Sequence, residues 1–353
     1  MTIVQQLPLM FLLCCQTCVL LFLLWRDMAP DVKQWKRTIN DEHTCHCNVT
    51  GCGEETVQHQ NINWKSKRHT LPQYIDHRNL NVILGDKSIC GDVAYVHALF
   101  VVHSAVGNYQ NRQAIRQIFR RDPYYKKYTI RLLFLLGQPN EMKLQNKIYE
   151  EFRQYGDVIQ GVFLDTYHNL TYKAVMGMKW ISQNCRNVKY IVKMDDDVYV
   201  DLHNFFTHLY NPFRSSDHTV ICRAMLRGQV KVNRKGKWGV EKNHLRYYKQ
   251  FPFSYCSGFA VVMPAAMIPV LYKATLTVPF FWIDDIYLFG MARGFIRKSV
   301  LHDITRKKYF EHDIKKNWKC LRRAGCELVF ACMSSKLMLH VWKERQKYLK
   351  HKQ

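Results

Sequence analysis

Between residues 93 and 194 the chain alternates short apolar runs with amphipathic stretches, and that alternation leaves few folds open. The runs 93–102, 129–136, 158–164 and 190–194 are rich in aliphatic, β-branched and aromatic residues. They are too short for typical helices and read as strands buried on both faces. Residues 111–120, 141–155 and 169–185 read as helices between them, and Gly137 and Gly156 end elements. Strands alternating with helices of this length predict βαβ units and a mostly parallel sheet, an α/β fold. At 353 residues, with 48% hydrophobic and 13% aromatic side chains, the chain can fill one large α/β domain or two average ones. A disulfide-only miniature scaffold is excluded.

The chain holds 52 Lys and Arg against 28 Asp and Glu, a net charge of +24. The excess is uneven. Residues 1–90 carry 9 basic and 8 acidic side chains, residues 91–300 carry 29 and 15, and residues 301–353 carry 14 and 5. A charge of this sign asks for an anionic partner: nucleic acid, an anionic membrane or a phosphorylated small molecule.

Residues 7–25 are apolar except for Pro8, Gln16 and Thr17, and at 1.5 Å per residue they just span a bilayer core. No charge precedes them, and Leu23-Leu24-Trp25-Arg26 makes a poor cleavage site, so a retained transmembrane signal-anchor is expected rather than a cleaved signal peptide. Arg26, Lys33, Lys36 and Arg37 follow the segment and, taken alone, would hold that flank in the cytosol. Ten cysteines downstream of the apolar segment argue for the opposite side, because an even set suits a disulfide framework in an oxidising lumen. Sequons at Asn48-Val49-Thr50 and Asn169-Leu170-Thr171 agree, with glycans expected on Asn48 and Asn169. Cys45-His46-Cys47 with Cys52 fits no standard zinc spacing. Residues 26–90 are polar and without sustained periodicity, as in a stem; the globular domain is expected over residues 91–353.

Chemistry concentrates in two short acidic runs. Lys193-Met194-Asp195-Asp196-Asp197-Val198 sets three carboxylates where a buried strand ends. Ligands of open α/β sheets bind outside the carboxyl ends of strands. Adjacent carboxylates repel unless a cation or solvent compensates, and hard divalent cations take oxygen ligands and bridge to phosphates. An acidic turn capping the next helix is the plainer reading of the same residues. The second run, Ile283-Asp284-Asp285-Ile286-Tyr287, follows the apolar stretch Val278-Pro279-Phe280-Phe281-Trp282. A carboxylate against an apolar wall gains proton affinity and suits a general base; helix capping by Asp284 is the alternative.

Several blocks, in order, resemble the β-1,3-glycosyltransferase family of β-1,3-galactosyltransferases and β-1,3-N-acetylglucosaminyltransferases. Val101-Val102-His103-Ser104-Ala105 with Asn111-Arg112-Gln113-Ala114-Ile115-Arg116 is similar to its first strand and R-x-x-I-R helix. Phe134-Leu135-Leu136-Gly137 is similar to its second strand. Tyr155-Gly156-Asp157-Val158-Ile159-Gln160 and then Phe163-Leu164-Asp165-Thr166-Tyr167-His168-Asn169-Leu170-Thr171 resemble its YGDIIQ and D-x-Y-x-NLT blocks. Residues 195–197 stand at its Asp-rich motif, Lys237-Trp238 and Tyr255-Cys256-Ser257-Gly258 at its KW and YCSG blocks, and residues 284–290 at its E/D-D-V-Y-x-x-G. The likeness covers about residues 92–345. Phe119, Phe251 and Asp284 replace the commoner Trp, Tyr and Glu.

The resemblance implies a GT-A-like fold, a Rossmann-type nucleotide-binding half joined to an acceptor-binding half. It implies inverting transfer of a hexose, galactose favoured, from a UDP-sugar to the 3-hydroxyl of a glycan acceptor on a glycoprotein or glycolipid. N-acetylglucosaminyl or N-acetylgalactosaminyl transfer and an inactive lumenal relative are the alternatives. Mn²⁺ or Mg²⁺ is the implied cofactor, with Asp197, Asp195 and His340 as its ligands. Asp285 is the implied base with Asp284 in reserve, and inversion is expected to set that base across the cleft from residues 195–197. Arg112, Arg116, Lys193 and Asp196 are expected at the donor, and Trp238, Tyr255 and Gly258 at the sugar wall. The expected setting is a single-pass type II Golgi membrane protein with a lumenal catalytic domain, and nucleic acid is not an expected partner.

Overall fold

The computed structural model describes residues 74–213, 218–242, 244–296, 299–303, 309–311, 319–323 and 325–350. The chain divides into two units, Met1–Thr70 and Leu71–Gln353. The expected anchor at 7–25, the stem up to residue 73, the cysteines near His46 and the Asn48 sequon lie outside the described residues. No helix of the described residues is long and apolar enough to cross a membrane.

The second unit is built on an eight-stranded sheet in the order β1-β4-β3-β2-β5-β8-β7-β9. Its strands are β1 (Val82–Leu84), β2 (Val96–His103), β3 (Ile130–Gln138), β4 (Val158–Leu164), β5 (Val188–Asp195), β7 (Thr219–Met225), β8 (Tyr255–Pro264) and β9 (Val300–Asp303). The short strands β6 (Val198–Val200), β10 (Phe310–Glu311) and β11 (Phe330–Cys332) form a second sheet. Helices α1 (Tyr109–Arg121), α2 (Met142–Tyr155) and α3 (Leu170–Asn184) fall between β2 and β5, and α4 (Met267–Thr275) and α5 (Ser335–Lys350) follow later.

The expected parallel order holds for β4-β3-β2-β5, whose pairings are all parallel. Here the sequence supplies a crossover helix between successive strands, which a parallel connection requires. Beyond β5 that alternation stops. β8 pairs antiparallel with both β5 and β7, while β7 and β9 are parallel, so the sheet is mixed with four of its seven pairings in the expected parallel sense. The central strands read as continuous apolar runs because helices cover both faces: Phe100, Val102, Phe134, Leu136, Val192 and Met194 join Ile115, Ile118 and Phe119 in one buried cluster. Phe119, the variant position of the helix block, sits edge-on to Phe100 at 4.8 Å between centroids.

The domain begins earlier than the expected boundary at 91. β1 adds an antiparallel edge to β4, and Cys90 is bonded to Cys185. Cys222–Cys256 links the paired strands β7 and β8, and Cys320–Cys326 closes a short loop. The expected disulfide framework is therefore present in the described residues.

Candidate active site

The two acidic runs meet at the carboxyl end of the sheet. His103 ends β2 and lies in register with Asp195 at the end of β5. Because β8 runs antiparallel to β5, its first residues arrive at the same end: Met194 pairs with Ala260, two residues after Gly258. Asp284 and Asp285 open the helical turn Ile286–Ala292, and Asp285 caps it by accepting the Ile286 N–H at 2.8 Å.

Lys193 joins the runs. Its ammonium donates to Asp195 Oδ1 at 3.0 Å and to the Gly258 carbonyl, and lies 3.7 Å from Asp284 Oδ2. Burial alone would lower its pKa, but Asp195, Asp284 and Asp285 together raise it, so the ammonium is charged. The expected donor contact by Lys193 is corrected accordingly: the side chain is buried and committed to these carboxylates. Asp284, the reserve candidate, lies close to the Asp195 run, since one ammonium is within 3.0 Å of Asp195 and 3.7 Å of Asp284.

Asp285 occupies space that only glycine leaves open. A Cβ on Gly258 would stand 2.9 Å from the Asp285 Cβ, and the Gly258 N–H donates to Asp285 Oδ2 at 3.1 Å. Gly258 thus serves as a seat for the carboxylate, beyond the sugar-wall role expected of it. Desolvation and the neighbouring Asp284 push the Asp285 carboxyl up to about 7, with Lys193 and the two backbone N–H groups pulling the other way. Asp284 faces inward, 3.5 Å from His103 Nδ1. That distance is too long for a hydrogen bond. Burial, then Lys193 and Lys173, hold His103 well below its ordinary pKa, so its ring is neutral.

The three carboxylates of 195–197 differ in environment. Desolvation, Asp284 and Asp197 raise the pKa of Asp195, with Lys193 opposing. Asp197 is exposed, and burial of part of its surface together with Asp196 raises its pKa. Asp196 is buried and anchored: Ser104 Oγ donates to it at 2.6 Å, Asn108 Nδ2 at 3.0 Å and Asn111 Nδ2 at 3.1 Å. Its expected donor contact gives way to a structural tie between the motif and the start of α1.

Arg112 and Arg116 are likewise corrected. Both are 1% exposed. Arg112 donates to both Glu151 oxygens at 2.8 and 2.7 Å, and to Ser104 Oγ at 3.0 Å. Arg116 donates to both Asp157 oxygens at 2.8 and 2.7 Å, with Glu151 Oε1 also 2.7 Å away. Glu151 and Asp157 take most of these donors, and burial keeps the remaining Arg116 Nη1 from a diphosphate in solvent. Arg112→Ala should therefore cost about 3–5 kcal/mol of stability, because it strands Glu151 as a buried charge. Thermal or denaturant unfolding checks this; a fall in nucleotide affinity at unchanged stability would restore the donor role.

An aromatic wall borders the acids. Tyr167 lies 5.3 Å from Trp238 and 5.9 Å from Trp282, ring to ring, and His168 lies 4.6 Å from Trp282. Lys237 Nζ sits 4.7 Å over the Tyr167 ring and 5.1 Å over Trp238. Burial and then Asp284, Asp285 and Asp195 raise the Tyr167 pKa. Trp238 is 49% exposed, whereas Tyr255 is buried and packs on Phe251 at 5.4 Å.

His340 sits exposed on the C-terminal helix α5 rather than on a strand. Among the described residues no three His, Cys, Asp or Glu side chains form a ready cation cage. At the Asn169 sequon, half-buried Asn169 donates through Nδ2 to the Leu164 carbonyl at 2.9 Å, and buried Thr171 donates through Oγ1 to that of Phe281 at 2.7 Å. His103, Tyr167 and Trp282 also line the site; in the sequence His103 and Tyr167 are marked only by the resembling blocks, and Trp282 only by the apolar stretch before Asp284.

Residues 110–299 match the family model described as Galactosyltransferase. Human β-1,3-galactosyltransferase 2 is 26% identical over 270 residues, covering 75% of this chain and 62% of that protein. Mouse β-1,3-galactosyltransferase 1 is 29% identical over 191 residues, covering 54% and 57%. The chain thus spans about three fifths of the length of these curated relatives. A solved structure of GalNAc-T7 with UDP, GalNAc and Mn²⁺ superposes with a TM-score of 0.38 at 12% identity, over 68% of this chain and 44% of that one. The apo WbbM bifunctional glycosyltransferase gives a TM-score of 0.40 at 11% identity, over 73% and 51%.

Proposed function

Because the chain belongs to the galactosyltransferase family, we propose that it transfers a hexose, galactose favoured, from a UDP-sugar to the 3-hydroxyl of a glycan acceptor with inversion, forming a β-1,3 linkage. The observation that carries this reading is the meeting of two acidic runs around the Lys193 ammonium at the carboxyl end of the sheet.

Asp285 is the base. With its oxygens seated on the Gly258 and Ile286 N–H groups, it takes the proton of the acceptor 3-hydroxyl. The resulting oxygen nucleophile forms a bond to the sugar's anomeric carbon as the bond from that carbon to UDP breaks. UDP leaves with the electron pair. Lys193 keeps the neighbouring carboxylates from repelling one another, and neutral His103 adds no charge to compete. Trp238 and Tyr167 offer ring faces on which the apolar face of a pyranose can stack.

Asp195 and Asp197 suit a hard divalent cation, Mn²⁺ or Mg²⁺. They are oxygen donors whose charged forms are disfavoured by their surroundings, and one or two carboxylates completed by substrate phosphates is an ordinary set for such an ion. Bound there, the ion would neutralise charge on the diphosphate leaving group. A GT-A-type donor half and a lumenal, type II Golgi setting complete the reading. The setting is supported by the apolar segment 7–25 and by three disulfides, which belong to an oxidising compartment. Incubating the full chain and Mn²⁺ with UDP-galactose, UDP-N-acetylglucosamine or UDP-N-acetylgalactosamine and a panel of glycan acceptors tests it. Galactose transfer is expected to be fastest. Transfer of another sugar alone would replace the donor, and no transfer or donor hydrolysis at all would overturn the reading.

A further inference from the structure

Part of the basic excess of residues 301–353 forms a stripe on α5 that leads away from the acid cluster. α1 starts beside Asp196, through Asn108 and Asn111, and ends at Arg121, about 20 Å further along at 1.5 Å per residue. α5 also starts near the cluster, just after Met333, whose N–H donates to the Asp197 carbonyl at 2.8 Å. Later along its length Trp342 Nε1 and Gln346 Nε2 donate to Asp122 Oδ2 at 3.1 and 3.0 Å, at the end of α1. Both helices therefore lead away from the site.

On α5, Lys336, His340, Lys343 and Lys347 are exposed. At 3.6 residues per turn they fall within a sector of about 60°, opposite the buried Met338, Val341 and Arg345, and they run for about 16 Å. Exposed Arg121 flanks this stripe on the Asp122 side. Exposed Arg322 flanks it on the other, the side of Glu344, on which its charge acts. Glu344 is the single acid of α5, and Lys347 pairs with it at 2.7 Å. Complementing the helix dipole explains cations only in the last turn, which leaves Lys336 and Lys343 without that role.

We propose that this surface binds a sulfated polysaccharide chain. The disulfides place the domain in an oxidising compartment. That compartment holds no nucleic acid, and the strongly anionic leaflet is the cytoplasmic one. A sulfated glycan is the extended polyanion that remains, and a linear basic stripe matches a linear charge array. The binding is separate from the acid cluster and does not depend on which sugar is transferred.

The test uses the full chain and heparin as the probe, with affinity measured against salt. A variant carrying Arg121→Gln, Lys336→Gln, Lys343→Gln and Lys347→Gln is compared with a charge-matched control, Lys143→Gln, Lys147→Gln, Arg186→Gln and Lys273→Gln, on exposed positions elsewhere. Each lost contact removes roughly 0.9 from the slope of log affinity against log salt, taking the duplex-DNA value, so the first variant should lose about 3–4 and the control less than about 1. Both should keep wild-type transfer to a small acceptor, showing an intact fold. Equal slopes in the two variants would overturn the proposal by showing diffuse attraction to net charge. Binding to phosphatidylserine vesicles without binding to heparin would overturn it in favour of a membrane.

Discussion

Asp285→Asn should lower transfer about 10²–10⁴-fold while leaving the domain folded, the range that general-base catalysis supplies. The amide is nearly isosteric and its oxygen can still accept the Gly258 N–H, while its NH2 cannot accept that of Ile286, so the seat gives up one hydrogen bond, about 1 kcal/mol, together with the proton acceptor. In the unaltered protein, kcat/KM should rise with pH and level off above about 7, because the base works only when deprotonated and its carboxyl is pushed up to about 7. The same shift has a stability consequence of opposite sense. The folded state holds the Asp285 proton more tightly than the unfolded chain does. Its contribution is therefore complete below the ordinary carboxylate range and is lost as pH rises toward 7. Asn escapes that loss, so at pH 8 the inactive variant should melt above the active protein by a few degrees, at about 2–4 °C per kcal/mol. Asp284→Asn separates the two acids: Asp284 faces buried His103 and Lys193, so its change should act through their positions rather than remove the base. Activity of Asp285→Asn at the wild-type level, or a pH profile without a rise near 7, would return the base role to Asp284.

The sheet and the two acidic runs were legible in the sequence because each is a local signal. The strand at 158–164 was read to the residue, and β2, β3 and β5 within a few positions, since strands covered on both faces carry unbroken apolar runs. What was not legible depends on partners distant in sequence. Arg112 and Arg116 look like surface charges on an amphipathic helix until Glu151 and Asp157, 39 and 41 residues on, arrive to bury them. Asp196 looks equivalent to its two neighbours, and only the fold brings Ser104, Asn108 and Asn111 onto it. The apolar residues around His340 suggested a strand, yet Leu337, Met338, Leu339 and Val341 serve the inner side of an amphipathic helix. β8 reversed the sheet's direction because no crossover helix separates it from β7, a feature that local alternation cannot report.

That division among the carboxylates also decides where a cation can act, and it yields the second large expected effect. Asp197→Ala should abolish metal-dependent UDP binding and reduce transfer by about 10²–10⁴-fold, the rate equivalent of several kcal/mol of charge stabilisation. Asp197 can act this way because it is exposed, with a carboxylate bonded by its own backbone N–H and disfavoured as an anion by desolvation and by Asp196. Asp196→Ala should behave differently. It removes the acceptor for Ser104, Asn108 and Asn111, so its first effect is a lowered unfolding temperature from loosening the start of α1. Calorimetric titration of UDP with and without Mn²⁺ distinguishes the two, since it needs no turnover. The unaltered protein should bind UDP tightly only with Mn²⁺, Asp197→Ala weakly and independently of it, and Asp196→Ala with Mn²⁺ dependence retained at temperatures where it is folded. Mn²⁺-dependent affinity of Asp197→Ala equal to that of the unaltered protein would remove this carboxylate from the diphosphate site, leaving Asp195, held by Lys193 at 3.0 Å, as the carboxylate of the run that could face it.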